Sequence, residues 1–126
     1  MERLLLIGLG GGLGAILRYG ITVASKRVDP SWVLGTLTAN LVGCFLIGLL
    51  APLFTTTMPI REELRLAIIV GFLGGLTTFS TYGMEAFELY RRGAPGMAIL
   101  NVVVSNAGGL MAVWLGFRIS QFLNKA

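Results

Sequence analysis

Four apolar stretches of membrane-spanning length limit the folds open to this sequence. They cover residues 4–24, 33–53, 64–89 and 94–117. A helix needs about 20 predominantly apolar residues to cross a hydrocarbon core of roughly 30 Å. With 55% hydrophobic residues in 126, the chain is also too apolar for a soluble domain of its size. We therefore predict an all-α integral membrane protein, a single domain of four transmembrane helices over residues 1–126.

Short connections separate the stretches, so consecutive helices are expected to be antiparallel neighbours. The first stretch resembles a signal peptide in its position, but it is too long for one and contains Arg18, so we predict that it is retained. The only cysteine is Cys44 and the chain has no histidine, which excludes a disulfide framework and a histidine base and argues against a zinc site.

The net charge of +4 arises from basic residues near the ends of the stretches. Such pairs are typical of membrane flanks and not of a nucleic-acid surface, so we expect no nucleic-acid partner. The two sides balance at five against five, which leaves no bias to select one orientation. We expect both orientations and an antiparallel pair. One side holds Arg3, Arg61, Arg65, Arg118 and Lys125; the other holds Lys26, Arg27, Arg91, Arg92 and, if its side chain reaches the interface, Arg18.

The first stretch carries the glycine-rich segment GLGGGLGAILRYG. It looks like a dinucleotide-binding fingerprint, but no strand precedes it, so we expect no nucleotide site. Gly8 with Gly12 and Gly10 with Gly14 form spacings that let helix backbones approach closely in lipid. Arg18 is costly within the membrane unless it has a polar partner or its side chain extends to the interface, and the sequence allows either.

Polar side chains recur inside the second and fourth stretches. Thr36 and Asn40 lie four residues apart, as do Asn101 and Ser105, with Asn106 beside them. Residues at this spacing share one face of a helix. A lone interior asparagine usually bonds a neighbouring helix, but this number of amides and hydroxyls in four small spans favours a polar pathway.

The third stretch contains GGLTTFSTY at residues 74–82. Glycines are poor helix formers, and a break at membrane depth is tolerated only where protein, water or ions satisfy the freed backbone groups. We predict a break at Gly74 and Gly75, after which Thr77 and Thr78 restart the helix as N-cap residues. Carbonyls freed at such a break can ligate a cation.

Beyond the predicted break, Phe79, Tyr82 and Glu85 recur every three residues on one face, with Ser80 and Thr81 alongside. Aromatic rings have positive edges, so ring edges interleaved with hydroxyl and amide donors suit a small, hard anion. A kinked structural helix, with hydroxyls bonded to its own carbonyls, would account for two hydroxyls but not for five.

Three segments in order, GGGLGAILRYG, GTLTANLVGCFLIG and GGLTTFSTYGMEAF, resemble the Fluc (CrcB) family of fluoride channels. The resemblance extends over the whole chain. It implies a dual-topology, antiparallel homodimer in the bacterial inner membrane, with a break in each third helix. It also implies two antiparallel pores that let fluoride leave the cytoplasm passively, and no enzymatic activity.

The same resemblance implies roles for single residues. Asn40 corresponds to the pore asparagine, and Phe79 and Tyr82 correspond to the two phenylalanines of the family's ring pair, with tyrosine departing from the pattern. Main-chain carbonyls of Gly74 and Thr77 would hold a structural sodium ion at the dimer interface. The resemblance also marks Ser80, Thr81 and Glu85 as pore residues and Arg18 as the first-span arginine, and it places a pore-facing serine of the family near Gly109. Thr36 and Ser105 join the predicted pore because of the polar faces of their own spans.

Two other classes of membrane protein fit the size and the four spans. Small multidrug resistance transporters need a buried glutamate in the first span, but residues 4–24 contain no carboxylate, and Glu85 and Glu88 lie in the third span instead. A structural or accessory membrane subunit would not need a broken helix. The sequence therefore favours the channel, with fluoride, a second copy and the lipid bilayer as expected partners.

Overall fold

The computed structural model describes residues 1–28 and 33–125, and every regular element within them is a helix. Four helical segments are long and apolar enough to cross a membrane, so the prediction of an all-α chain with four membrane-spanning helices is confirmed. We label the helices α1 (Glu2–Ser25), α2 (Val33–Thr56), α3 (residues 62–76), α4 (Phe79–Arg91) and α5 (Pro95–Leu123). Helices α3 and α4 together form the third span.

The third span changes its helical geometry before it breaks. Helix α3 begins with an α-helical turn at Glu62–Leu66, continues as a π-helical segment at Ala67–Leu73 and ends with a turn at Gly74–Leu76. Segments of π-helix are rare and are frequently found at functional sites. The departure from regular α-helix therefore starts well before the break itself.

The break in the third span lies later than the sequence predicts. Gly74 and Gly75 are helical, and the extended residues are Thr77 (φ −86°, ψ 154°) and Thr78 (φ −150°, ψ 120°). The prediction of a break is confirmed, but its position at the paired glycines is wrong. Gly75 has a packing role instead, because a Cβ added there would collide with the carbonyl group of Gly11 in α1.

Helix α1 packs closely against α3 through glycines. A Cβ added at Gly10 or Gly14 would overlap a main-chain carbonyl of α3, whereas a Cβ at Gly8 or Gly12 would meet nothing within 4 Å among the described residues. Within the part of the chain that the structure describes, packing therefore uses only the pair of Gly10 and Gly14. This close approach of backbones is the role that small residues have in membrane helices.

Helix α2 packs against α5 in the same way. The carbonyl of Val113 occupies the space beside Gly48, and the carbonyl of Phe45 occupies the space beside Gly116. The centre of the bundle is small, with Ala39, Leu73 and Leu76 as its buried cluster. Most large apolar side chains are exposed instead, as expected where lipid is the surrounding solvent.

Exposed ion pairs join the beginnings of α1 and α3. Arg3 Nη2 lies 3.2 Å from Glu62 Oε2, and Arg61 Nη2 lies 3.1 Å from Glu2 Oε1. Each exposed pair contributes little to stability. Their geometry nevertheless places the beginnings of the first and third spans at the same end of the bundle, as antiparallel consecutive helices require.

Candidate functional site

The break between α3 and α4 is held by one side chain from α2. The main-chain N–H of Thr78 donates to Asn40 Oδ1 (2.7 Å), and Asn40 Nδ2 donates to the carbonyl oxygen of Thr78 (3.0 Å). In a continuous helix that N–H would bond the carbonyl of Gly74. The Asn40 amide therefore provides hydrogen-bond partners for both main-chain polar groups of Thr78. One of these two bonds takes the place of a helical hydrogen bond.

The side chain of Thr78 begins the next helix. Its Oγ1 accepts a hydrogen bond from the main-chain N–H of Thr81 (3.3 Å), so the prediction of an N-cap at this residue is confirmed. The same hydroxyl lies 3.1 Å from Thr81 Oγ1 and 3.3 Å from Ser80 Oγ. The same prediction for Thr77 is wrong, because Thr77 ends α3 and its Oγ1 donates to the carbonyl of Leu73 (2.9 Å). The two threonine hydroxyls of GGLTTFSTY thus serve the two helix ends differently.

An aromatic pair follows directly after the break. The ring centroids of Phe79 and Tyr82 lie 5.4 Å apart with an interplanar angle of 57°. Phe79 is 81% exposed in the single chain, whereas Tyr82 is partly buried. Tyr82 Oη accepts a hydrogen bond from Asn106 Nδ2 of α5 (2.9 Å). The two rings predicted to share a face do so.

A cavity of about 340 Å³ lies beside the break. Asn40, Phe79, Tyr82 and Ser105 line it, so four of the predicted pore residues meet at one place. None of the lining residues carries a charged side chain. The remaining lining residues are Gly43, Cys44, Ile47, Ile69, Leu73, Gly74, Thr77, Thr78 and Asn106.

Two other predicted pore residues form a buried pair outside this cavity. Thr36 Oγ1 of α2 donates a short hydrogen bond to Glu85 Oε1 of α4. Glu85 is 4% exposed, and its Oε2 has no hydrogen-bond partner in the described part of the chain. Burying a carboxyl group without a full set of partners is costly, and buried groups of this kind mark functional sites in membrane spans.

The polar residues of the fourth span contact one another. Ser105 Oγ donates to Asn101 Oδ1 (3.2 Å), as their spacing predicts. Asn101 is buried, and its Nδ2 finds no partner within residues 1–28 and 33–125. In α1, Arg18 is half-buried and enters no ion pair within those residues.

Main-chain oxygen atoms are the candidate cation ligands of this chain. No cluster of three or more histidine, cysteine, aspartate or glutamate side chains occurs in the described ranges. The N–H of Thr78 donates to Asn40, so the carbonyl of Gly74 loses its usual helical donor. A neutral set of carbonyl oxygens suits a hard cation of low charge. The carbonyl oxygens present thus have the ligand chemistry that the predicted sodium site requires.

Sequence reasoning missed two residues of this site. It treated Thr78 as a helix cap only, although its main chain is the point that Asn40 binds. It also left Asn106 out of the site, although Asn106 contacts the tyrosine of the aromatic pair. The contact between Asn106 and Tyr82 had a signal in the sequence, since both are polar residues within otherwise apolar spans. Spacing along one helix, however, cannot show which residues of two different helices are in contact.

Comparison with known proteins places this arrangement in a family. Residues 5–117 match the family model described as CrcB-like protein, Camphor Resistance (CrcB). A protein of Salinibacter ruber named fluoride-specific ion channel FluC is 48% identical over 124 residues, which are 98% of this chain and 92% of that protein. Proteins of the same name from Chloroflexus aurantiacus and Citrifermentans bemidjiense are each 44% identical, covering 97% and 98% of this chain and 98% and 100% of their own lengths. This multi-pass membrane protein belongs to the CrcB family.

Proposed function

We propose that this chain is a fluoride-selective channel that lets fluoride leave the cytoplasm down its gradient. Its relatives carry the name of fluoride-specific ion channels, at identities of 44% and 48% over nearly the whole chain. The observation that supports this function most directly is the break at Thr77 and Thr78, pinned by Asn40 next to an aromatic pair. The protein is a channel and not an enzyme.

The chemistry of the cavity suits a small anion. Neutral donors and ring edges line it, so an entering anion exchanges water for hydroxyl groups and positive ring edges. A lysine or arginine would hold the anion too firmly for conduction, which requires binding weak enough for the ion to leave. We assign Asn40, Phe79, Tyr82 and Ser105 to this part of the pathway. The pore residues outside the cavity are Thr36, Ser80, Thr81 and Glu85.

The functional unit that we propose is an antiparallel homodimer with two pores. Phe79 is a large apolar side chain left 81% exposed at the cavity, and Gly74 has open space around it. A second copy would cover both. The balance of five basic residues against five at the two ends of the spans supports opposite orientations of the two copies.

A sodium ion would stabilise this dimer at its centre. The carbonyl oxygens of Gly74 and Thr77 are the ligands that we assign to it, because both residues line the cavity. When bound, the ion would supply a positive charge that attracts main-chain carbonyl oxygens of both copies. The protein's part is to hold the carbonyls free of helical hydrogen bonds, which the Asn40 pair does for Gly74.

The test is fluoride efflux from liposomes that contain the purified protein and potassium fluoride. A potassium ionophore added to the outside removes the charge imbalance, so a passive channel should release fluoride at once and without a nucleotide or a proton gradient. Liposomes loaded with potassium chloride provide the control and should release little chloride. Equal fluxes of the two anions, or efflux only under a proton gradient, would refute the proposal.

A further inference from the structure

The hydroxyl group of Tyr82 has a defined partner. Asn106 Nδ2 donates to Tyr82 Oη over 2.9 Å and to the carbonyl oxygen of Val102 over 2.8 Å. A carbonyl oxygen can only accept. The amide group of Asn106 must therefore turn its nitrogen toward Val102, and the orientation of this amide is set independently of the tyrosine.

The orientation of the amide determines the direction of the bond to the tyrosine. The NH2 group has two hydrogens, one for each of its two acceptors, and no lone pair to offer. Tyr82 Oη therefore accepts the bond from Asn106 and keeps its own hydrogen for another acceptor. No other hydrogen bond of this hydroxyl occurs in the described part of the chain.

The tyrosine and the asparagine both line the cavity next to Phe79. On the basis of the proposed function, we propose that Tyr82 Oη–H donates a hydrogen bond to fluoride in the pathway and that Asn106 is the positioning residue that aims it. A phenylalanine at this position would offer only its ring edge. The chain thus places a directional donor at one of the two ring positions.

Accepting one hydrogen bond strengthens the next. A hydroxyl that accepts from an amide becomes a better donor, because chains of hydrogen bonds polarise one another. Hydrogen bonds to charged partners contribute about 1.5–3 kcal/mol, which corresponds to a roughly tenfold or greater change in affinity. The expected effect is on the fluoride concentration that half-saturates the flux, since the donor binds the ion inside the pathway.

The experiment compares Tyr82→Phe, Asn106→Ala and the double variant in fluoride-loaded liposomes over a range of fluoride concentrations. We expect Tyr82→Phe to raise the half-saturating concentration about tenfold and Asn106→Ala to raise it by a smaller factor. In the double variant, Asn106→Ala should add nothing, because the hydroxyl that it positions is gone. A structural role of Asn106 would instead lower the maximal flux equally in both backgrounds.

The matched control is Tyr90→Phe, which removes a hydroxyl from an exposed tyrosine of the same helix α4. It should leave the concentration dependence as it is in the unmodified protein. Monodisperse elution in detergent checks that each variant folds, and Asn106→Ser replaces Asn106→Ala if the alanine variant does not.

The outcomes separate this inference from the proposed function. If the unmodified protein conducts no fluoride, the proposed function fails. If it conducts and Tyr82→Phe has an unchanged or lower half-saturating concentration, the donor role of Tyr82 is wrong. If Asn106→Ala has the same effect with phenylalanine at position 82 as with tyrosine, Asn106 does not act through the hydroxyl.

Discussion

The amide of Asn40 pairs with both main-chain polar groups of Thr78, through bonds of 2.7 Å and 3.0 Å, at the point where the third span leaves helical geometry. An unsatisfied backbone group in hydrocarbon costs several kcal/mol. One side chain of α2 thus makes an extended residue tolerable at membrane depth. It also fixes the start of α4, which carries the aromatic pair and most hydroxyls of the candidate pathway.

The first prediction concerns a charge at this point. In Asn40→Asp the carboxylate can still accept from the N–H of Thr78, but it repels the Thr78 carbonyl and any anion in the cavity. At about 4 Å and an effective dielectric of about 20, the repulsion between unit charges is roughly 4 kcal/mol. Fluoride flux in liposomes should fall about a thousandfold while the variant still elutes as folded protein. Flux at the unmodified rate would remove Asn40 from the pathway.

The second prediction separates the two glycine pairs of α1. Gly14→Ala forces a methyl group against the carbonyl of Phe72, so it should destabilise the protein by about 1–3 kcal/mol, a range typical of overpacking. Gly12→Ala meets nothing within 4 Å in residues 1–28 and 33–125 and provides the control. The measurement is the soluble monodisperse fraction in detergent after heating. Equal loss in both variants would contradict the packing of α1 on α3.

The third prediction concerns the buried pair of Thr36 and Glu85. Thr36→Val keeps the shape of the side chain but removes the hydrogen bond to a buried carboxyl group, which costs about 1–3 kcal/mol. Thr38→Val is the matched control, since Thr38 is exposed on the same helix. Thermal inactivation in detergent should occur at a lower temperature for Thr36→Val only. If the two variants inactivate together, the pair does not stabilise the contact between α2 and α4.

The fourth prediction tests the sodium site and the dimer. A Cβ at Gly74 meets no described residue of its own chain within 4 Å, so Gly74→Val should fold but crowd a second copy that approaches the cavity. We expect less dimer by crosslinking in sodium buffer and a parallel loss of fluoride flux. Gly83→Val is the control, because Gly83 also has open surroundings but does not line the cavity. Crosslinking that is equal in both variants, or indifferent to replacing sodium by a large organic cation, would overturn the assignment.

The fifth prediction concerns orientation. Gly96→Lys with Met97→Lys adds two positive charges to exposed residues after the loop between the third and fourth spans, which should commit the chain to one orientation. Fluoride flux should be lost when this variant is produced alone.

The same positions changed to glutamine provide the uncharged control. Labelling of an Asn124→Cys variant from the two sides of the membrane reports orientation. If the protein that carries Asn124→Cys but neither lysine is labelled from one side only, the antiparallel pair is wrong.

The four spans could be predicted from sequence because the membrane imposes a length and a composition on each helix separately. The 3.6-residue period likewise predicted that Phe79 and Tyr82 share a face, as do Asn101 and Ser105, and the two residues of each pair are in contact. The N-cap role of Thr78 was also predictable, since a cap depends on its own hydroxyl and the next turn. All of these features follow from local chemistry.

Contacts between helices were decided by the tertiary structure. Glycine propensity placed the break at Gly74 and Gly75, but α1 packs on Gly75, and Asn40 from α2 satisfies Thr78 three residues beyond it. A helix breaks where its freed backbone groups find partners, and in hydrocarbon those partners come from neighbouring helices. For the same reason the bond between Tyr82 and Asn106 could not be read from either span alone.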